Sequence, residues 1–330
     1  MTATLRVGTR GSVLARTQTG QVAEALAAVG RFTIELVHVR TDGDRLTGSL
    51  ATLGGTGVFV TALREAVLDC RCDVAVHSLK DLPTGPALGL TLGAVPARED
   101  PRDVLCARDG LTLATLPAGS RVGTGSPRRA AQLRAARPDL EVVDIRGNVD
   151  TRLGRVASGA RDASRADDGT GRDLDGVVLA RAGLARLGRL DAVTDTLDPA
   201  TMLSAAGQGA LAIECRTADD VPGLSAALAA LDDRPTHLAV IAERALLARL
   251  EAGCAAPVGT LGVLDGDTLT LDAVVIRTDG TSSLRLTARA ALPGRAPNGT
   301  DESARQAAAD LGSTLADRLL AAGAGEMMSS

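Results

Sequence analysis

The sequence predicts an α/β protein followed by a smaller α+β unit. Three observations carry this reading. Over roughly the first 210 residues, short apolar runs alternate with segments of helical period. Gly- and Pro-containing turns punctuate them, as in parallel α/β sheets. From about residue 232 the texture changes to one amphipathic helix and then to alternating, strand-like runs. At 330 residues the chain is long enough for two or three domains.

Taken in order, LRVGT (5–9) reads as a strand and VLARTQTGQVAEALAAVG (13–30) as a helix closed by Gly30. FTIELVHV (32–39) is a second strand. The polar, Gly-rich stretch 41–57 is a candidate mobile loop. VFVTALREAVLD (58–69) is helical and DVAVHS (73–78) is a strand. The rhythm then restarts with RVGTG (121–125), a strand, PRRAAQLRAA (127–136), a helix, and LEVVDI (140–145), a strand. DTRLGRVAS (150–158) is helical and DGVVLA (175–180) is a strand. The charged segment 158–176 is expected to be an exposed loop. HLAVIAERALLARLEAG (237–253) is a helix, TLTLDAVVI and SLRLTARAAL flank a turn at TDGTS, and 304–324 is a last helix. No internal repeat at fixed period is visible.

Composition narrows the function. Two Phe, no Tyr and no Trp remove the stacking platforms of single-strand nucleic-acid binders. A net charge of −4 disfavours general binding to nucleic acid or anionic membrane. The N-terminus lacks a signal-peptide core and no run of about 18 apolar residues occurs, so a cytoplasmic chain without membrane contact is expected. Five Cys without framework spacing imply free thiols. Cys70 and Cys72 lack a second ligand pair, so no metal site is expected.

Four predicted strand exits carry polar groups of similar character. The first has Arg10 and Ser12, and the second has Ser78, Lys80 and Asp81. The third has Ser126, Arg128 and Arg129, and the fourth has Arg146, Asn148 and Arg152. Ligands of open α/β sheets bind beyond the carboxyl ends of strands. If these exits line one cleft, it is rich in cations and poor in acids. In GTGSPRR, Ser126 suits an N-cap and Pro127 the first helical position. Arg128 and Arg129 then sit where the helix dipole disfavours cations, so a bound anion would account for them. Solvated surface arginines are the alternative. Carboxylates are the anion that paired arginines clamp best. Asp81, in cationic company, should stay ionised, and suits stabilising a developing cation or moving a proton. Capping a turn before Pro83 is its bland alternative. Lys80 is the sole lysine in a chain that otherwise writes its cations as Arg. Read from its neighbours alone, Cys254 is an inert filler, with a functional thiol as the alternative.

Together, GTRGS, GGTGVFV, DVAVHSLKDLP, AREDPRDVL, RVGTGSPRRAAQL, IRGNVDTRL, AGLARLG, GQGALAIECR and AERALLARLEAGCAAPVG resemble the porphobilinogen deaminase (hydroxymethylbilane synthase) family, in family order and over nearly the whole chain. The resemblance implies three domains: two periplasmic-binding-protein-like α/β lobes with a cleft between them, and a small C-terminal α+β domain. Their expected limits are 1–98 plus 209–228, 103–203, and 230–330. It implies head-to-tail condensation of four porphobilinogen units with release of ammonia, in tetrapyrrole (haem) biosynthesis. The chain grows on a dipyrromethane cofactor, held as a thioether that falls on Cys254. The catalytic acid falls on Asp81, which would stabilise the azafulvene cation left by ammonia. Substrate and cofactor binding falls on Arg10, Ser12, Ser78, Lys80, Thr124, Ser126, Arg128, Arg129, Arg146, Gly147, Asn148, Arg152, Arg186 and Gln208. A monomer is expected.

The chain departs from the family pattern at Thr52 and Thr56, where lysines are common, at Ser204, where Pro is usual, at Arg181, and in the long 158–176 loop. Two rival readings are a two-lobed anion-binding protein and an inactive pyrrole-binding paralogue.

Overall fold

A computed structural model describes residues 3–39, 57–157, 173–218, 221–253, 256–295 and 301–328. The expected loop 41–57 (apart from Gly57), with Thr52 and Thr56, most of the 158–176 loop, and Cys254 lie outside the described residues.

The chain runs β1 (Thr4–Thr9), α1 (Val13–Gly30), β2 (Thr33–His38), α2 (Gly57–Leu68), β3 (Val74–Ser78), β4 (Leu90–Ala94), β5 (Asp103–Ala107), β6 (Arg121–Gly123), α3 (Pro127–Ala136), β7 (Glu141–Val143), α4 (Val149–Leu153), β8 (Gly176–Ala180), α5 (Arg181–Arg186), β9 (Asp195–Thr196), β10 (Leu211–Arg216), α6 (Leu224–Leu231), α7 (Arg234–Arg249), β11 (Val258–Asp265), β12 (Thr268–Ile276), β13 (Ser283–Ala291), α8 (Glu302–Ala321) and α9 (Ala324–Met328).

Two five-stranded sheets share one plan, in the orders β2-β1-β3-β10-β4 and β7-β6-β8-β5-β9. In each, the first three strands are parallel. The fourth is antiparallel to both neighbours. That strand is the one that has just crossed over from the other lobe: β5 enters the second lobe and β10 returns to the first. The sheets are therefore mixed rather than parallel throughout, because the two crossings feed a strand in reverse. The lobes repeat each other in topology although no repeat shows in sequence.

Each unit has an aliphatic core, as a chain nearly free of aromatics requires. Leu5, Val7, Leu26, Val74, Ile213 and Leu228 fill the first lobe. Leu105, Val122, Leu133 and Val178 pack one face of the second sheet. The antiparallel sheet β11-β12-β13 packs Leu269, Leu271 and Val275 against Leu246 of α7 and Leu315 and Leu319 of α8.

Several local expectations need correction. Gly30 does not supply the left-handed residue that ends α1: Arg31 does, at φ 54. Gly30 is required by packing, since a Cβ there would lie 2.0 Å from the Phe32 ring. Likewise Glu251, at φ 52, takes the left-handed turn after α7, so the helix ends at Arg249, short of the expected 253. α4 is only five residues long. The 158–176 segment is not exposed to its end, because Leu174 joins the core and buried Asp175 pairs with Arg108 at 2.7 Å. β11 was not anticipated. It supplies the third strand without which the β12–β13 hairpin would be marginal.

One carboxylate ties the crossings to the C-terminal unit. Glu243 of α7 is fully buried. It accepts from Arg98 Nη1 at 2.6 Å, from the Gly207 amide at 2.6 Å and from the Gly262 amide of β11 at 2.8 Å. Ser204 adds a further tie, as its carbonyl accepts from Thr260 N and its hydroxyl donates to the Thr260 carbonyl. Arg181 lies 3.5 Å from Asp100 on the first crossing.

Candidate active site at the interlobe cleft

The four polar exits all follow the carboxyl ends of neighbouring parallel strands: β1 and β3 in the first lobe, β6 and β7 in the second. After β3 the chain makes a single 3-10 turn, Leu79–Asp81, closed by Leu82 N donating to the Leu79 carbonyl at 3.1 Å. Leu79 is the buried anchor of this turn. Its amide donates to the Ala210 carbonyl at 3.0 Å, and its side chain lies where a Cβ on Gly207 would be. Gly207 takes φ +69, so glycine serves there twice. From α7, Arg244 donates to the carbonyls of Leu82 at 2.9 Å and Pro83 at 2.6 Å. The turn is thus held from the second crossing and from the C-terminal unit.

On this turn Lys80 and Asp81 are half-buried. Asp81 does not cap it. No hydrogen bond or ion pair to its carboxylate occurs among the described residues. Burial pulls the Lys80 ammonium down to about 8; the charge of Arg129, from the other lobe, acts in the same direction, while Asp81 and Asp103 oppose both. The two lobes therefore meet at Lys80.

Arg128 and Arg129 begin α3, and both are buried rather than solvated. Their anion comes first from inside the protein. Asp103, at the start of β5 and wholly buried, lies 2.7 Å from Nη2 of each arginine. It also accepts from Arg129 Nε at 2.9 Å and from Gln208 Nε2 at 2.8 Å. Burial pushes the Asp103 carboxyl up, but the two guanidiniums outweigh it and hold it at about 2. Sequence reasoning missed Asp103 because it lies outside the four exits. The acid that opens the strand in PRDVL was its only signal.

The other candidates fall into groups. Arg152 donates to the Gly147 carbonyl at 2.9 Å, and its pKa is lowered by burial and then by the charges of Arg129 and Arg146. Those three arginines therefore share one field. Gly147 takes φ 105. Asn148 caps α4 by accepting from Thr151 N at 2.8 Å, and Ser12 caps α1 by accepting from Ala15 N at 3.2 Å. Ser78 exchanges hydrogen bonds with Gln18. Thr124 is buried and accepts from Ser126 N at 3.2 Å. Ser126 takes the N-cap position of α3, but its hydroxyl makes no cap hydrogen bond. Arg186 donates to the Gly209 carbonyl at 2.7 Å, with Glu99 as its opposing charge. Arg10 follows β1 and is half-buried.

Two family models cover most of this chain. "Porphobilinogen deaminase, dipyromethane cofactor binding domain" matches residues 5–222, and "Porphobilinogen deaminase, C-terminal domain" matches residues 237–321. The chain belongs to the porphobilinogen deaminase family. The porphobilinogen deaminase of Cutibacterium acnes is 54% identical over 330 residues, spanning 98% of this chain and 96% of its own. That of Leifsonia xyli is 55% identical over 325 residues, spanning 98% and 94%. Among solved structures, the methionine-binding protein MetQ aligns with 71% of this chain and 92% of its own at 12% identity and a TM-score of 0.39.

Family membership makes the chain a transferase of tetrapyrrole biosynthesis, and residues 5–222 a dipyrromethane cofactor binding domain. The site suits such a group. Pyrrole units of this pathway carry acetate and propionate arms, and the cleft sets Lys80, Arg129, Arg146 and Arg152 in one positive field. Arg128 Nε is buried without a hydrogen-bond partner, an unmet donor of the kind a carboxylate satisfies. No helix among the described residues is long and apolar enough to cross a membrane.

Proposed function

We propose that the chain is a hydroxymethylbilane synthase, condensing four porphobilinogen units head to tail with loss of one ammonia each. The dipyrromethane is attached through Cys254 and supplies the pyrrole carbon that begins the growing chain. The observation that carries this reading is Asp81, whose carboxylate makes no hydrogen bond or ion pair among the described residues, beside a Lys80 that feels the charges of Arg128 and Arg129 from the other lobe. Asp81 would supply the counter-charge for the cation left when ammonia departs and would relay a proton between the departing amine and the attacked ring. Lys80, Arg128, Arg129, Arg146 and Arg152 hold the acetate and propionate arms, so that each ring is oriented before it reacts. Arg10, Ser12, Ser78, Thr124, Ser126, Gly147, Asn148, Arg186 and Gln208 complete the lining, several of them by bracing its turns.

The domain limits 1–98 plus 209–228, 103–203 and 230–330 form part of this reading, supported by the three separate sheets. So do a monomeric, cytoplasmic enzyme and the absence of nucleic-acid or membrane partners, the last supported by the acidic net charge and the aromatic-poor composition.

The test is intact mass with peptide mapping, alongside ammonia release from porphobilinogen. An excess of two linked pyrrole units on the Cys254 peptide, with steady turnover, is expected. Binding without ammonia release would favour the two-lobed binding protein or the inactive paralogue.

A further inference from the structure

Asp103 is a buried carboxylate that the proposed chemistry does not use, yet it touches the residues that the chemistry needs. Its Oδ1 takes Arg129 and Gln208, and its Oδ2 faces Arg128 Nη2 at 2.7 Å. Gln208 Nε2 also donates to the Pro101 carbonyl at 2.6 Å, so the cluster is pinned to both crossings at once. Without Asp103 two buried guanidiniums and one ammonium would stand together, with Asp81 the other carboxylate that acts on Lys80. We propose that Asp103 is a positioning residue for the family's reaction: the internal counter-ion that locks the Arg128 and Arg129 guanidiniums and offsets their charge beside Lys80.

The consequence for turnover rests on the deaminase reading, whereas the geometry stands without it. A guanidinium fixed by a buried carboxylate loses its rotamer freedom before ligand arrives, which is preorganisation. The charge balance matters as much. The groups facing Lys80 are Arg129 and Arg128, which oppose its proton, and Asp81 and Asp103, which favour it. Asp81 lies on the same turn and is the group that the reaction engages, so Asp103 is the acid that stays constant through turnover. Without it the arginines keep their opposition to the Lys80 proton and one of the two carboxylates that favour it is gone. Asp103 is itself shielded from substrate by the groups that cover it, being 0% exposed.

The chain's single lysine makes the test clean, because protein grown with 13C-labelled lysine carries one labelled Cε, at Lys80. Titrating that signal in the holoenzyme gives the wild-type midpoint as the reference. Asp103→Asn should lower it by about one pH unit or more, the scale of a close charge in a buried site. Asp103→Glu should hold the midpoint near the wild-type value. Asp103→Asn with Arg129→Gln, which removes one charge of each sign, should bring it back towards the wild type. If Asp103→Asn alone fails to fold, Arg129→Gln compared with the double variant isolates the same charge. A midpoint unmoved by loss of Asp103 in either background overturns the proposal. The alkaline limb of ammonia release should move with the midpoint, and the KM for porphobilinogen should rise more than kcat falls. A wild type that releases no ammonia would sink the deaminase reading, while the titration would still decide the role of Asp103.

Discussion

Arg98 Nη1 stands 2.6 Å from Glu243 Oε1, and this pair joins the first interlobe crossing to the helix that leads towards Cys254. Glu243 has no exposure and Arg98 little, so neither charge has water to fall back on. Glu243→Gln should leave Arg98 buried without its counter-charge and destabilise the protein by about 3–5 kcal/mol. Denaturant unfolding with an unchanged m-value would register it. A loss below about 1 kcal/mol would mean that the pair is not the junction described.

The second crossing depends on a glycine. Gly209 takes φ +89, and a Cβ there would lie 2.3 Å from the Glu99 carbonyl oxygen. Gly209→Ala should destabilise by at least about 1–2 kcal/mol from backbone conformation alone, with the clash added. Thermal unfolding of this variant should fall well below that of Gly253→Ala, since a Cβ on Gly253 would meet nothing within 4 Å among the described residues.

Acid should unfold the protein through its buried carboxylates. Burial raises Glu214, but its pairing with His77 and Arg64 wins and holds it at about 2, against an ordinary 4.5; Asp103 is held at about 2, against 3.8. Both folded values lie below the unfolded ones. Their stabilisation is therefore complete above about pH 4.5 and is lost as pH falls towards 2. Unfolding free energy measured from pH 6 to 2 should drop across that window. Glu214→Gln should flatten the drop and lower the plateau above it.

Asp81→Asn should reduce kcat at least about 100-fold, the scale of removing one preorganised electrostatic group, with little change in melting temperature. The second half matters because Asp81 has no partner among the described residues. A large fall in stability would show a packing role and weaken its assignment to chemistry.

The sequence by itself determined the family and the elements with strong local signals. α1 and α3 begin and end where their local signals predict, since Ser12, Pro127 and the helical periods act within each segment. The nine motifs are likewise carried in order along the chain. Gly30 marks the end of α1 as expected, but Arg31 takes the left-handed position and Gly30 answers to the ring of Phe32 two residues on. The reversal of β5 and β10 and the kinship of the two lobes depend on the two crossings, which no window of sequence contains. The same holds for the site. Four cationic exits were legible because each follows its own strand. Only the tertiary structure decided that Arg128 and Arg129 are buried on Asp103, that Arg129 from one lobe faces Lys80 from the other, and that Arg244 and Glu243 reach back from the C-terminal unit to hold the Asp81 turn and both crossings. Charge acts through space and not along the chain, so which carboxylate answers which arginine is settled only once distant segments are folded together.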